Sequence, residues 1–288
     1  MIGRIIKQVS NDYTVLSDKE YICKARGVFR NDHETPLVGD MVEFDENKRI
    51  ITKIKPRKNY LIRPSVSNID QVLIVTSVKN PDFSGNLLDK LLTIVEYNNI
   101  TPVICFTKLD LLNKEERKRI DDYMNYYRGL GYLVITNEKK ANFKGLFQNK
   151  TTVFTGQSGA GKSSLLNFLN PSLELKTDDI SHALGRGKHT TRHTELYSFD
   201  GGLIADTPGF SAIDLSTLKP IEIRDNMVDM FQSLASCKYR DCMHIKEDGC
   251  SVKERIKRDK IFKERYDNYI SFINRKWLNG SSNFNFKC

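Results

Sequence analysis

Residues 101–110 read TPVICFTKLD. Pro102 to Phe106 is apolar, as a buried strand requires, and it delivers Thr107-Lys108-Leu109-Asp110 at its end. A strand end that presents a lysine and a carboxylate is a place where a nucleotide base can be read. A phosphate-binding partner for that site exists, but it lies roughly fifty residues downstream, at Gly156 to Ser163. The question set by this stretch is whether TKLD is an accident or half of a site assembled in an unusual order.

The downstream stretch is Gly156-Gln157-Ser158-Gly159-Ala160-Gly161-Lys162-Ser163, which fits G-x-x-x-x-G-K-[ST] in full. It follows the strand TTVFT (151–155) and precedes the helical run SLLNFLN. Its glycines let backbone N–H groups converge on phosphate oxygens at a helix N-terminus. Lys162 is placed to neutralise the terminal phosphates and Ser163 to coordinate Mg2+. Asp206-Thr207-Pro208-Gly209 follows the strand GLIA, as the second metal-side element of a P-loop hydrolase should. Asp206 would hold Mg2+ through water, and the Gly209 N–H would sense the γ-phosphate. Between the two lies GRGKHTTRHTEL (185–196), glycine-rich and basic, where Thr190 or Thr191 supplies the threonine that closes on Mg2+.

TKLD then reads as a guanine-selecting loop. Asp110 accepts from the guanine ring N–H and exocyclic amino group. Adenine lacks that donor pair and would leave the carboxylate unpaired. Lys108 lays its stem along the base. Thr107 stands where asparagine is commoner. The order is base reader, P-loop, threonine loop, DTPG, whereas the usual order begins at the P-loop. A permuted domain keeps its sheet if the old termini are joined and new ones opened at the surface.

Outward from this centre the rhythm changes twice. QVLIVTSV, TPVICFTK, YLVIT, TTVFT, TELYSF and GLIAD alternate with helical stretches at 87–99 and 115–131, which predicts a parallel sheet covered on both faces. Residues 1–64 hold instead about five short strands (GRIIKQVS, YTVLSD, YICKARGVF, DMVEFD, RIITKIK), which predicts a small, OB-like β-barrel. Lys55, Arg57, Lys58 and Arg63 form a basic connector. After about residue 215, IEIRDNMVDMFQSLA and VKERIKRDKIFKERYDNYISFINRK are each predicted as a helix. Between them, Cys237, Cys242, His244 and Cys250 form a compact Cys3His set, a closed structural zinc site with no open position for catalysis. His33, His182 and His193 read as loop or surface histidines, Cys23 and Cys105 as core thiols.

The chain has 288 residues, 39% apolar and 28% charged, with a net charge of +9. That excess points to a polyanionic partner. No stretch reaches the roughly 18 consecutive apolar residues of a membrane span. MIGRIIKQVSNDYTV has no apolar signal-peptide core. A cytoplasmic protein without a membrane partner is expected.

Together with PLVGDMVEF, LIRPSVSNIDQVLIV, GQSGAGKSSLLN, GRGKHTTRHTELY, DTPGF and CKYRDCMHIKEDGCSVKERI, these features resemble the circularly permuted, ribosome-small-subunit-dependent GTPases, the RsgA/YjeQ family. The resemblance covers essentially the whole chain. It implies an α/β P-loop GTPase domain, circularly permuted (65–215), between an N-terminal all-β OB-fold that binds RNA (1–64) and a C-terminal helical zinc-binding domain (216–288). It implies GTP hydrolysis with Mg2+, one structural zinc per chain, and the small ribosomal subunit and its rRNA as partners of a monomer. By the match of GKSSLLN, Ser164 joins the nucleotide site. His189 matches a histidine proposed to assist hydrolysis. Two basic surfaces, one with Arg57, Lys58 and Arg63 and one with Lys253, Arg255, Lys257 and Arg258, are expected to face rRNA. The alternatives are a P-loop ATPase or kinase, separable by nucleotide competition, and a nucleic-acid-binding zinc protein with a degenerate site, separable by measurable hydrolysis.

Overall fold

The computed structural model describes residues 1–27, 29, 35–61, 65–171, 195–206 and 215–279. The chain divides into two compact units, one of Met1–Asp82, Asn98–Leu112 and Leu133–Ala212, the other of Phe83–Tyr97, Asn113–Tyr132 and Ile213–Cys288.

The first unit opens with β1 (Ile2–Val9), β2 (Asp12–Leu16), β3 (Glu20–Ala25), β4 (Met41–Asp45) and β5 (Ile50–Ile54). They pair in the order β1-β2-β3-β5-β4, and β1 also pairs with β4, so the sheet closes into the expected barrel. Inward positions alternate with outward ones. Ile5, Val15, Tyr21, Cys23, Val42, Phe44 and Ile51 fill the interior. Two short strands, β6 (Tyr60–Leu61) and β7 (Val66–Ser67), form a hairpin after the barrel.

The nucleotide-binding sheet follows: β8 (Gln71–Ser77), β9 (Thr101–Thr107), β10 (Leu133–Thr136), β11 (Thr151–Thr155), β12 (Glu195–Phe199) and β13 (Gly202–Asp206). β10-β9-β8-β11-β13 are mutually parallel. In β8 every residue but Thr76 is buried, which is why its sequence is a near-continuous apolar run and does not alternate. β12 departs from the predicted parallel sheet and runs antiparallel to β13. The cause is the two-residue turn Asp200-Gly201, with φ of 45° and 75°, which makes the strands a hairpin. The outer edge of β12 pairs with β1 at Lys7↔Glu195. Barrel and nucleotide sheet are thereby one sheet of 11 strands among the described residues.

β8 leads into α1 (Gly85–Tyr97), β9 into α2 (Lys114–Gly129) and β11 into α3 (Lys162–Leu169). The core of the first unit joins Leu73, Val75, Val103 and Cys105 of the sheet to Leu165 and Leu166 of α3. Phe147 stacks on Phe154 at 5.9 Å and meets Phe199 edge-on at 5.1 Å.

The second unit gathers α1 and α2 with α4 (Pro220–Asp225), α5 (Val228–Ser233), α6 (Ser251–Arg255) and α7 (Lys260–Asn279). Both C-terminal helices predicted from sequence are broken. The first breaks because Met227 is extended and Asn226 turns its side chain onto the Glu222 carbonyl, 2.8 Å away. The second breaks because Asp259 accepts from the Phe262 N–H at 3.0 Å and so caps a new helix. Ile223, Met230, Val252, Phe262, Tyr269 and Ile273 form the core here. Buried within this unit, Arg265 holds Asp229 through two hydrogen bonds of 2.6 and 3.0 Å and also pairs with Asp89. Tyr126 donates to Asp229 and Tyr127 to Asp89, at 2.9 and 2.8 Å. Burial pushes the Asp89 carboxyl up to about 6 despite Arg265 beside it. For Asp229 burial acts in the same sense, but its contacts with Arg265 prevail and hold it below the usual carboxylate range.

Candidate functional site

The phosphate loop leaves β11 at Gly156, whose φ is 137°; a Cβ there would stand 1.9 Å from the Val75 carbonyl oxygen. Only glycine fits this crossing of the loop over β8. Gly159 and Gly161 are also left-handed, with φ of 75° and 90°, and Gly161 directly precedes α3. Ala160 and Ser163 are buried, while Ser158, Gly159 and Ser164 are exposed. Lys162 folds back over its own loop, with Nζ 2.9 Å from the Gly156 carbonyl and 2.8 Å from that of Gln157. Burial lowers its pKa. The loop therefore carries one cation close to its own backbone, at the N-terminal end of a helix, where an anion is favoured.

TKLD reaches the same place. Thr107 ends β9 fully buried, and its Oγ1 donates to the Ala160 carbonyl of the phosphate loop at 2.7 Å. The threonine that stands where asparagine is commoner thus ties the TKLD loop to the phosphate loop. Lys108 takes a left-handed conformation (φ 63°), and its Nζ hydrogen-bonds the Asn80 carbonyl. Leu109 is buried and anchors a short 3-10 turn that presents Asp110 to solvent. The turn ends at Asn113, which begins α2 through a complete capping box with Glu116.

Two further loops flank this site without a sequence motif to mark them. Asn80 supports Lys108, as described. The loop after β10 opens beside TKLD, since Thr136 is in register with Phe106 and the Asn137 N–H donates to the Phe106 carbonyl at 3.2 Å. The available signal was topological: in a parallel sheet all strand C-termini share one edge, and ligands bind there.

β13 carries Asp206 to that same edge, and Asp206 is in register with Glu195 of β12. His189, Thr190, Thr191, Arg186, Lys188 and Arg192 lie outside the described residues, as do Gly209, the rest of DTPGF beyond Asp206, Arg63, His33, His182, His193 and Cys288.

Within the second unit, Cys237, Cys242, His244 and Cys250 converge, with their ligand atoms all within 4.8 Å of one another. His244 sits at φ 62° and is fully buried. Its Nδ1 lies 3.6 Å from the Cys237 sulfur and 3.4 Å from the Cys250 sulfur, while Nε2 donates to the Met230 carbonyl at 3.0 Å. That bond fixes the tautomer with the Nδ1 lone pair turned toward the sulfurs, as a metal ligand requires. Desolvation lowers the His244 pKa, keeping the ring neutral. Desolvation, reinforced by neighbouring Cys250, pushes Cys242 up to about 12. Three thiols this close resist ionising together, and a divalent cation among them removes that penalty. The donor set fits a bound metal ion.

The cations of the two basic surfaces differ in how far they are already paired. Arg57 is committed to fully buried Asp40 through two bonds of 2.8 Å, and to the Thr35 carbonyl at 2.7 Å. Arg255 pairs with Asp259 and lies over the Phe262 ring, 3.9 Å from its centroid, with its side chain 41% exposed. Lys58 and Lys257 pair with Asp70 and Glu254, but their side chains are 54% and 65% exposed, so they can still meet an anion.

Comparison with known proteins agrees with this geometry. The model of the RsgA GTPase family matches residues 54–216, and that of the RsgA N-terminal domain matches residues 2–50. A small ribosomal subunit biogenesis GTPase RsgA 2 of Oceanobacillus iheyensis is 46% identical over 94% of this chain and 96% of its own. The Bacillus subtilis protein named small ribosomal subunit biogenesis GTPase RsgA is 45% identical over the same shares. Among solved structures, YloQ, a circularly permuted GTPase, superposes with a TM-score of 0.81 at 37% identity, covering 98% of this chain and 96% of that one. YjeQ from Thermotoga maritima superposes at 0.79 and 32% identity, covering 97% and 99%. With the base loop bonded to a phosphate loop that follows it in the chain, the protein is a circularly permuted GTP hydrolase and belongs to the RsgA GTPase family.

Proposed function

We propose that this GTPase acts in biogenesis of the small ribosomal subunit, as the names of its relatives state for them. It binds the subunit through rRNA and hydrolyses GTP faster when bound. The observation that carries the nucleotide part is the Thr107–Ala160 hydrogen bond, which makes one site of two motifs in permuted order. Asp110 selects guanine. Gly156–Ser164 and Lys162 hold the phosphates. Ser163 and one of Thr190 and Thr191 would ligate Mg2+, Asp206 would hold it through water, and the Gly209 N–H would sense the γ-phosphate. When bound, Mg2+ neutralises charge on the β- and γ-phosphates.

Phe210, after Gly209, cannot orient water, so His189 is the candidate for that task. The Cys3His set holds zinc, the metal suited to three thiolates and an imidazole. The net charge of +9 supports contact with rRNA, and binding should weaken steeply with salt. A cytoplasmic monomer is the working form; no helix among the described residues is long and apolar enough to cross a membrane.

The test is co-sedimentation of the chain with purified small and large subunits in GDP or a non-hydrolysable GTP analogue, with hydrolysis measured in parallel. Triphosphate-dependent binding to the small subunit alone, with stimulated turnover, is expected. Equal affinity for ATP and GTP, or no preference between subunits, would overturn the reading. His189→Ala should lower stimulated turnover at least tenfold with little change in GTP affinity; normal stimulated hydrolysis would make His189 an ordinary loop residue.

A further inference from the structure

We infer that Lys7 of the barrel and Glu195 of β12 form a positioning contact through which the RNA-binding barrel acts on the metal side of the nucleotide site. The inference rests on the role of Asp206 proposed above.

Three observations place the contact. Lys7 is the β1 residue in register with Glu195, and Glu195 is in turn the β12 residue in register with Asp206. One row across three strands thus runs from the barrel to the residue assigned to the metal side. Lys7 Nζ lies 3.0 Å from the Glu195 carboxylate, which also accepts from Tyr197 OH at 3.0 Å. Finally, β1 grips a second strand, because Arg4 Nη1 donates to Thr151 Oγ1 at 2.9 Å, at the first residue of the strand that ends in the phosphate loop.

Residues 4 and 7 of a regular strand point to opposite faces. Here they do not, because β1 has a bulge. Ile5 pairs with Val15 and Lys7 with Thr14, the next residue of β2, so Ile6 is left without a partner in that ladder. The extra residue returns Lys7 to the side of Arg4, outside the barrel, while Ile5 stays buried inside it. Bulges re-aim side chains in this way. Without it Lys7 would face the barrel interior, and only one of the two strands would be held.

The Lys7 and Glu195 side chains are 40% and 17% exposed. A pair this open contributes little to folding stability. Its geometry matters more: it fixes the first residue of β12 against the barrel, so a shift of the barrel on RNA is passed to the strand pair that ends at Asp206.

The experiment compares the parent chain with Lys7→Met, Lys7→Arg and the charge exchange Lys7→Glu/Glu195→Lys. It measures GTP turnover with and without small subunits, KM for GTP, subunit co-sedimentation and the melting temperature. For Lys7→Met we expect subunit-stimulated kcat to fall about tenfold, with basal turnover, KM and co-sedimentation within twofold of the parent. Lys7→Arg should retain stimulation and the charge exchange should recover it. Should the exchanged chain fail to fold, Lys7→Met and Lys7→Arg decide. Stimulation of Lys7→Met equal to that of the parent would overturn the inference alone, as would a loss that merely follows weaker subunit binding. A parent chain that subunits do not stimulate would overturn the functional reading, and this inference with it.

Discussion

Asp110 and Gly156 show two ways in which a residue can be indispensable. In the proposed function Asp110 acts by charge and acceptor pattern in an exposed turn, so its substitution should change ligand choice and leave the fold alone. Asp110→Asn is expected to lose GTP affinity by more than tenfold and to gain affinity for xanthosine triphosphate, read by competition with a fluorescent nucleotide. Gly156 acts by the absence of a side chain. Its φ of 137° and the 1.9 Å approach to Val75 leave no room for a methyl group. Gly156→Ala should therefore displace the loop from β8 and cost at least about 2 kcal/mol of stability, as strain and overpacking together do. Loss of nucleotide binding with a lowered melting temperature is the expected result; a variant that binds GTP normally would contradict the crossing described. Thr107 was harder to read. Its threonine looks like a weakened asparagine in the sequence, because nothing local shows that its hydroxyl reaches a carbonyl 53 positions away.

Among elements, α2 is the one whose two ends do different work. Its start follows the TKLD turn, and its tyrosines enter the buried Arg265 cluster. The capping box of Asn113 and Glu116 satisfies N–H groups that would otherwise lack partners. Asn113→Ala should destabilise the chain by about 1 kcal/mol and weaken guanine nucleotide binding modestly, since the turn loses its fixed exit. Urea denaturation with and without GDP separates the two effects. Elements were legible where periodicity or a complete motif was present: the apolar run of β8, the helix after TKLD and the strand–loop–helix around Lys162. They were misread where a single side chain overrules the pattern. Asp259 restarts a helix inside a stretch that looks continuous, and Asp200-Gly201 turns a supposed parallel strand into a hairpin. Arg57 looks like a free cation in the sequence because its acid, Asp40, comes from another part of the barrel.

For the molecule as a whole, permutation and the closed barrel were visible as motif order and strand count, and their fusion into one sheet was not. No residue pattern announces that β1 will pair with a strand beginning at residue 195. The Cys3His cluster was visible as ligand spacing, and the structure adds the tautomer that suits His244 to be a ligand. Metal removal should be felt in the second unit, whose core includes Cys242 and Cys250 themselves. Cys242→Ala, or prolonged treatment with a strong chelator, is expected to cost several kcal/mol there and to leave the nucleotide affinity of the first unit nearly unchanged. Hydrogen exchange resolved by segment would show it, with protection lost in α4–α7 and kept in β8–β11.

The strand order sets a schedule for the newborn chain. β11 needs β13 along one edge, and β1, already paired with β2 and β4, meets β12 at Lys7; β12 and β13 are translated after all the rest of the sheet. Until then β11 exposes unpaired N–H and C=O groups along the edge that β13 covers, the template on which chains aggregate. Pairings so distant in sequence also make folding slow. A chain stopped before residue 195 should collect as insoluble material, and refolding of the whole protein should improve on dilution far more than on gentle warming.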